Sequence, residues 1–82
     1  MDSSTQQMTF AQFAQLLALE SARNIINGRE VMMQVLQNIL PHEIKDKESG
    51  EVRLAVTRDG DRLNVTSYLT QTAIESINDI AA

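Results

Sequence analysis

EVRLAVTRDGDRLNVTS, residues 51–67, decides the fold. Two runs of alternating apolar and polar residues flank Asp59-Gly60, the dipeptide favoured in two-residue type I′ hairpin loops. Taking Asp59-Gly60 as the loop pairs Arg58 with Asp61, Val56 with Leu63 and Leu54 with Val65. Val52, Leu54, Val56, Leu63 and Val65 then share one face, and Arg53, Thr57, Arg62, Asn64 and Thr66 share the other. A slip of one residue would mix the faces. A two-stranded antiparallel hairpin is marginal by itself in water, so its apolar face must lie on helices.

The flanking sequence supplies them. Thr9-Phe10-Ala11-Gln12 fits a capping box, with Met8 and Phe13 as its hydrophobic staple. A helix is predicted from about 10 to 27, with Gly28 as its C-terminal stop. Phe10, Phe13, Ala14, Leu17, Ala18 and Ile25 fall on one broad face. A second helix is predicted over about 29–40, ended by Pro41, with Val31, Met32, Met33, Val35, Leu36, Ile39 and Leu40 around half its circumference. Residues 41–50 are charged and end in Ser-Gly, the signature of a mobile loop. A short C-terminal helix is predicted over about 70–81. Thr70 and Thr72 compete as its cap, Leu69 and Ile74 form its staple, and Ala73, Ile74, Ile77, Ile80 and Ala81 share a face. Residues 1–8 lack periodicity and read as a disordered lead-in. The expected fold is therefore α+β in the order α-α-β-β-α, as a single small domain over 9–82.

Composition narrows the function. The 82 residues carry seven Lys and Arg against eleven Asp and Glu, for a net charge of -4. Cysteine is absent, which removes disulfides, a thiol nucleophile and Cys-ligated metal. No apolar run is long enough for a transmembrane helix, and MDSSTQQMTF shows no secretory signal, so a cytoplasmic protein without membrane contact is expected. Aromatic residues are only 4% of the chain, so the core must be aliphatic. A domain this small often gains stability from a partner.

No catalytic constellation emerges. His42 is the single histidine; a general base in a triad needs an orienting partner and a nucleophile, and hydroxyls are sparse around it. Asp46, Glu48 and Glu51, with Glu43 as a further acid, do not match calcium-loop spacing, since Gly50 is one position early and lysines interleave. Asp59 and Asp61 are explained by turn chemistry. Neither an enzyme nor a cofactor is expected, and no motif marks a family.

Two binding surfaces remain. Leu16, Leu19 and Ile26 interrupt the polar side of the first helix and are candidates for a protein interface, with Met32 and Met33 as adaptable second candidates. Open hairpin edges could also join two copies into one sheet. The expected function is a non-enzymatic protein-interaction module that self-associates as a homodimer: an adaptor, regulator, chaperone-like protein or structural joint of a phage particle. The alternative is nucleic-acid binding. Lys45, Lys47, Arg53 and Arg62 cluster near the hairpin with Asn64, and a two-stranded ribbon can enter a major groove. Six acidic residues in the same 42–69 stretch disfavour phosphate binding.

Overall fold

A computed structural model describes residues 3–81, with side chains through Ile77. The elements run β1 (Ser3–Met8), α1 (Phe10–Ala22), α2 (Gly28–Leu36), β2 (Glu43–Lys45), β3 (Val52–Asp59), β4 (Arg62–Tyr68) and α3 (Gln71–Ala81). The fold is α+β, but its sheet has four antiparallel strands in the order β1-β4-β3-β2. The expected two-stranded hairpin is the centre of that sheet, and the element order becomes β-α-α-β-β-β-α.

The hairpin forms with a different loop. Asp59 pairs with Arg62, Val56 with Val65 and Leu54 with Ser67, so Gly60-Asp61 is the two-residue loop. Gly60 has φ +63, whereas Asp61 is not among the residues with positive φ. Positive φ at the first loop position alone is the type II′ pattern, which favours Gly there. The register thus differs by two residues from the expected one. A shift of two preserves the faces, so Leu54, Val56, Leu63 and Val65 remain together in the core.

Two further strands contradict the expected lead-in and loop. β1, in the segment read as disordered, pairs along β4 from Ser3↔Tyr68 to Met8↔Leu63. Met1 and Asp2 lie outside the described residues. β2, inside the segment read as a mobile loop, pairs with β3 through Ile44↔Leu54. Both hairpin edges are therefore occupied within the chain, and two hairpins cannot join directly.

α1 begins where its capping box predicts, and both α1 and α2 end earlier than expected. The Gln12 N–H donates to Thr9 Oγ1 and the Thr9 N–H to Gln12 Oε1, completing the capping box. α1 then stops at Ala22, not near 27. Asn24 adopts φ 61, the Ile25 N–H donates to the Glu20 carbonyl and the Asn24 N–H to that of Ser21. This is the Schellman arrangement with Asn in place of Gly. It recurs at Asn38, where the Ile39 N–H donates to the Gln34 carbonyl and the Asn38 N–H to that of Val35. α2 accordingly ends at Leu36, before Pro41. At α3, Thr70 is the cap, since its Oγ1 accepts from the Ala73 N–H.

Gly28, expected as a stop, is instead the first residue of α2. A Cβ there would overlap the side chain of Ser21, so the glycine permits α2 to approach α1. Gly28→Ala is expected to cost about 1–3 kcal/mol through overpacking, and Ser21→Gly in the same chain should recover most of it. Equal thermal midpoints for wild type and Gly28→Ala would show that the contact yields without cost.

α1 lies against β4 and α2. Phe13, Leu17, Ile25, Ile26, Val31 and Val35 meet Ile44, Leu54, Val56, Leu63 and Val65 in one core, which Met8 and Ala73 complete. Phe10 and Ala18, expected on the buried face of the first helix, are exposed. In α3, Ala73 is buried but Ile77 is exposed, against the expected shared face. The expectations for Ile80 and Ala81 lie outside the described side chains.

Candidate interaction surfaces and the buried polar cluster

The two edges of the sheet are built differently. β2 has three residues, presents Glu43 and Lys45, and carries a register shift between Ile44 and Lys45. Short length, charge and a bulge all discourage pairing with a further strand. β1 has six residues, SSTQQM, with neither charge nor proline, and all but Met8 are exposed. Among the described residues, no strand pairs with its outer edge.

The neutral character continues into α1. From Ser3 to Ala22 the one charged residue is Glu20, and it is buried. The exposed residues of α1 are therefore Phe10, Ala11, Gln12, Gln15, Ala18, Leu19 and Ala22. Between α1 and the β1 edge runs a groove of about 550 Å³ lined by Gln6, Gln7, Met8, Gln12, Leu16 and Ser67. The helix layer thus stops short of covering the inner face of β1.

The interface candidates separate in this fold. Leu19 is 46% exposed and Met33 56%. Leu16 and Met32 are partly buried against the core. Ile26 is 2% exposed and belongs to the core. The Asn24 turn, which ends the first helix early, removes Ile26 from the helical surface on which its periodicity placed it. A second group of exposed apolar residues gathers where α2 ends. Phe10 and Ile39 line one cleft there, and Leu36 is 81% exposed.

The basic candidates are also dispersed. Strand alternation places Arg53 on the polar face, but Ile44 pairs with Leu54 while Lys45 pairs with Val52, leaving Arg53 as the extra residue of a bulge. A bulge re-aims its side chain. Arg53 Nη2 meets Glu20 Oε1 at 2.6 Å, and Nη1 donates to the Tyr68 carbonyl at 2.6 Å. Lys45 and Lys47 line a groove that also holds Glu30 and Glu43. Arg62 pairs across the strands with Asp59, and Asn64 is half-buried between Gln7 and Thr57. No shared basic surface results from these positions.

Glu20 and Arg53 belong to a buried polar cluster that also includes Asp46. The Asp46 Oδ1 accepts from the Glu48 and Ser49 N–H groups and from Thr72 Oγ1, at 2.9, 3.1 and 2.8 Å. The Lys47 N–H donates to the Ile25 carbonyl. Asp46 thereby ties the β2–β3 turn to α3, and the turn is anchored on the segment between α1 and α2. This corrects the picture of a solvated mobile loop. Desolvation alone would raise the Asp46 carboxyl, but the donors of Thr70, Ser49, Glu48 and Thr72 outweigh it and hold the group below its ordinary range. Desolvation prevails at Glu20, whose carboxyl is raised despite the attraction of Arg53 and Arg23.

Among the described residues, no group of three His, Asp or Glu side chains could hold a metal ion. No helix among them is long and apolar enough to cross a membrane. Comparison with protein-family models, curated proteins and solved structures gave no match.

Proposed function

We propose that this chain is a non-enzymatic protein-interaction module that associates with itself through the uncharged surface of β1 and α1. The supporting observation is the continuous stretch from Ser3 to Ala22 in which the single charge, Glu20, is buried. Solvent-facing helix surfaces ordinarily carry charged residues, whereas the centres of protein interfaces are depleted of them. The net charge of -4 makes two copies repel in general, and this surface lets them meet without opposing like charges. An adaptor or a small structural joint would use the surface in this way.

Leu19 supplies the test. Its 46% exposure means that Leu19→Asp should leave the monomer folded while placing a carboxylate at the seam. Sedimentation across a concentration series should show association weakened by about tenfold, or 1.4 kcal/mol, with an unchanged circular dichroism spectrum. A wild-type chain that stays monomeric at high micromolar concentration would reject self-association. Unchanged association of Leu19→Asp would remove Leu19 from the surface.

A further inference from the structure

Resting on the self-association proposed above, we infer that the seam is β1 itself: two copies pair their β1 strands antiparallel about a two-fold axis. The 4-stranded sheet of each copy then continues into its partner's as one sheet of eight strands. The exposed, uncharged strand Ser3–Met8 offers free backbone donors and acceptors to an incoming strand. An antiparallel pair of identical strands satisfies the two-fold symmetry by construction.

Three features favour a second copy as the occupant. The first is closure. β2 is short, charged and bulged, so a β1-to-β2 chain of copies is discouraged and growth stops at two. The second is chemistry. β1 already pairs with β4 through hydroxyl contact, with Thr5 Oγ1 and Thr66 Oγ1 2.8 Å apart. A β1–β1 seam repeats hydroxyl and amide neighbours, and cross-strand Thr and Ser pairs are favourable. The third is the groove lined by Gln6, Met8, Gln12 and Leu16. It leaves the inner face of β1 uncovered beside the seam, where α1 of the second copy can approach with no charge to desolvate.

Gln6 is exposed in β1, so substitution there leaves the core intact. In a symmetric seam, each copy brings the same new charge close to its partner's. Gln6→Lys and Gln6→Glu should each weaken homodimerisation by about tenfold or more. An equimolar mixture of the two should restore a dimer, detected as a heterodimer by native mass spectrometry. Hydrogen exchange of wild type should show alternate β1 amides becoming protected as concentration rises. Restored association in the mixture, with that alternating protection, supports the seam. A wild-type dimer that Leu19→Asp disrupts but neither Gln6 variant affects overturns the seam and leaves self-association standing. A wild-type monomer at high micromolar concentration overturns both, leaving β1 open to a strand from a different protein.

Discussion

Replacing Arg53 with Met is expected to lower the unfolding free energy by about 3–5 kcal/mol, the usual consequence of removing one partner from a buried ion pair. A domain of this length holds only about 4–12 kcal/mol in total, so the loss is a large fraction of its stability. The cause is the position of Glu20. Its side chain is 3% exposed and sits in the last turn of α1, where the helix dipole also disfavours negative charge. Among the described residues its Oε2 has no hydrogen-bond partner, so Arg53 supplies most of its compensation. Arg53→Met leaves that carboxyl with only the weaker attraction of Arg23 and frees the Tyr68 carbonyl. Adding Glu20→Leu should recover most of the loss, because apolar replacement of both partners is often neutral or stabilising. Urea denaturation of wild type, both single variants and the double variant measures the coupling. A single Arg53→Met variant within about 0.5 kcal/mol of wild type, the range of ordinary surface substitutions, would show that the pair is dispensable.

The hairpin was legible because alternation over Val52–Val56 and Leu63–Val65 leaves one arrangement of faces. The loop within it was less so. Asp59-Gly60 and Gly60-Asp61 are both acceptable dipeptides, and registers two apart preserve the same faces. Pairing of the lengthened β4 with β1 from Tyr68 to Leu63 is a long-range circumstance that local alternation does not encode. Helix starts were readable from Thr9 and Thr70, whose hydroxyls accept from the backbone three residues on. Helix ends were obscured because Asn24 and Asn38, not Gly, adopt the left-handed conformation. A signal did exist. Asn-Ile-Ile at 24–26 and Asn-Ile-Leu at 38–40 repeat the same stop, each placing an apolar residue after the asparagine, as the Schellman motif prefers.

β1 and β2 escaped for opposite reasons. β1 is held by backbone pairing at the rim of the sheet, so Ser3–Gln7 show no hydrophobic alternation. β2 offers one apolar residue, Ile44, and a single residue has no period, although a lone buried Ile amid charges was a clue. The surface residues show a similar division. Leu19, which interrupts the polar side of its helix, is exposed, and so is Met33, although periodicity put Met33 within the apolar arc of the second helix. Ile26 could not be placed without knowing where α1 ends. Arg53 could not be placed without the bulge that β2 imposes on β3. What composition did contain was the absence of charge from Ser3 to Leu19, a property that becomes informative once β1 is known to be an edge.

Asp46→Ala should cost about 2–4 kcal/mol, since hydrogen bonds to an ionised acceptor contribute about 1.5–3 kcal/mol each and some are replaced by water. The variant leaves the Glu48 and Ser49 N–H groups and the Thr72 hydroxyl without their acceptor. Amide exchange should therefore accelerate at residues 47–50 and at the start of α3 while β4 amides keep their protection. Uniform acceleration across the sheet would show that Asp46 serves the whole fold and does not anchor this junction. Asp46→Asn keeps an acceptor in the same place and should fall between Ala and wild type. The two carboxylates also predict a pH profile of opposite slopes. Glu20 is raised from its ordinary 4.5, so acidification through its folded pKa adds stability until about that value. Asp46 is lowered from its ordinary 3.8, so its contribution is complete above that value and is lost as pH falls through the folded pKa. Among these two groups, the stability maximum lies in mildly acid solution, below neutrality and above the range in which Asp46 takes up its proton. Glu20→Gln should flatten the limb between neutrality and that maximum, and Asp46→Asn the limb below it. A wild-type stability that falls steadily from neutral pH downward, with no rise, would mean that Arg53 holds Glu20 ionised and that the raised carboxyl is incorrect.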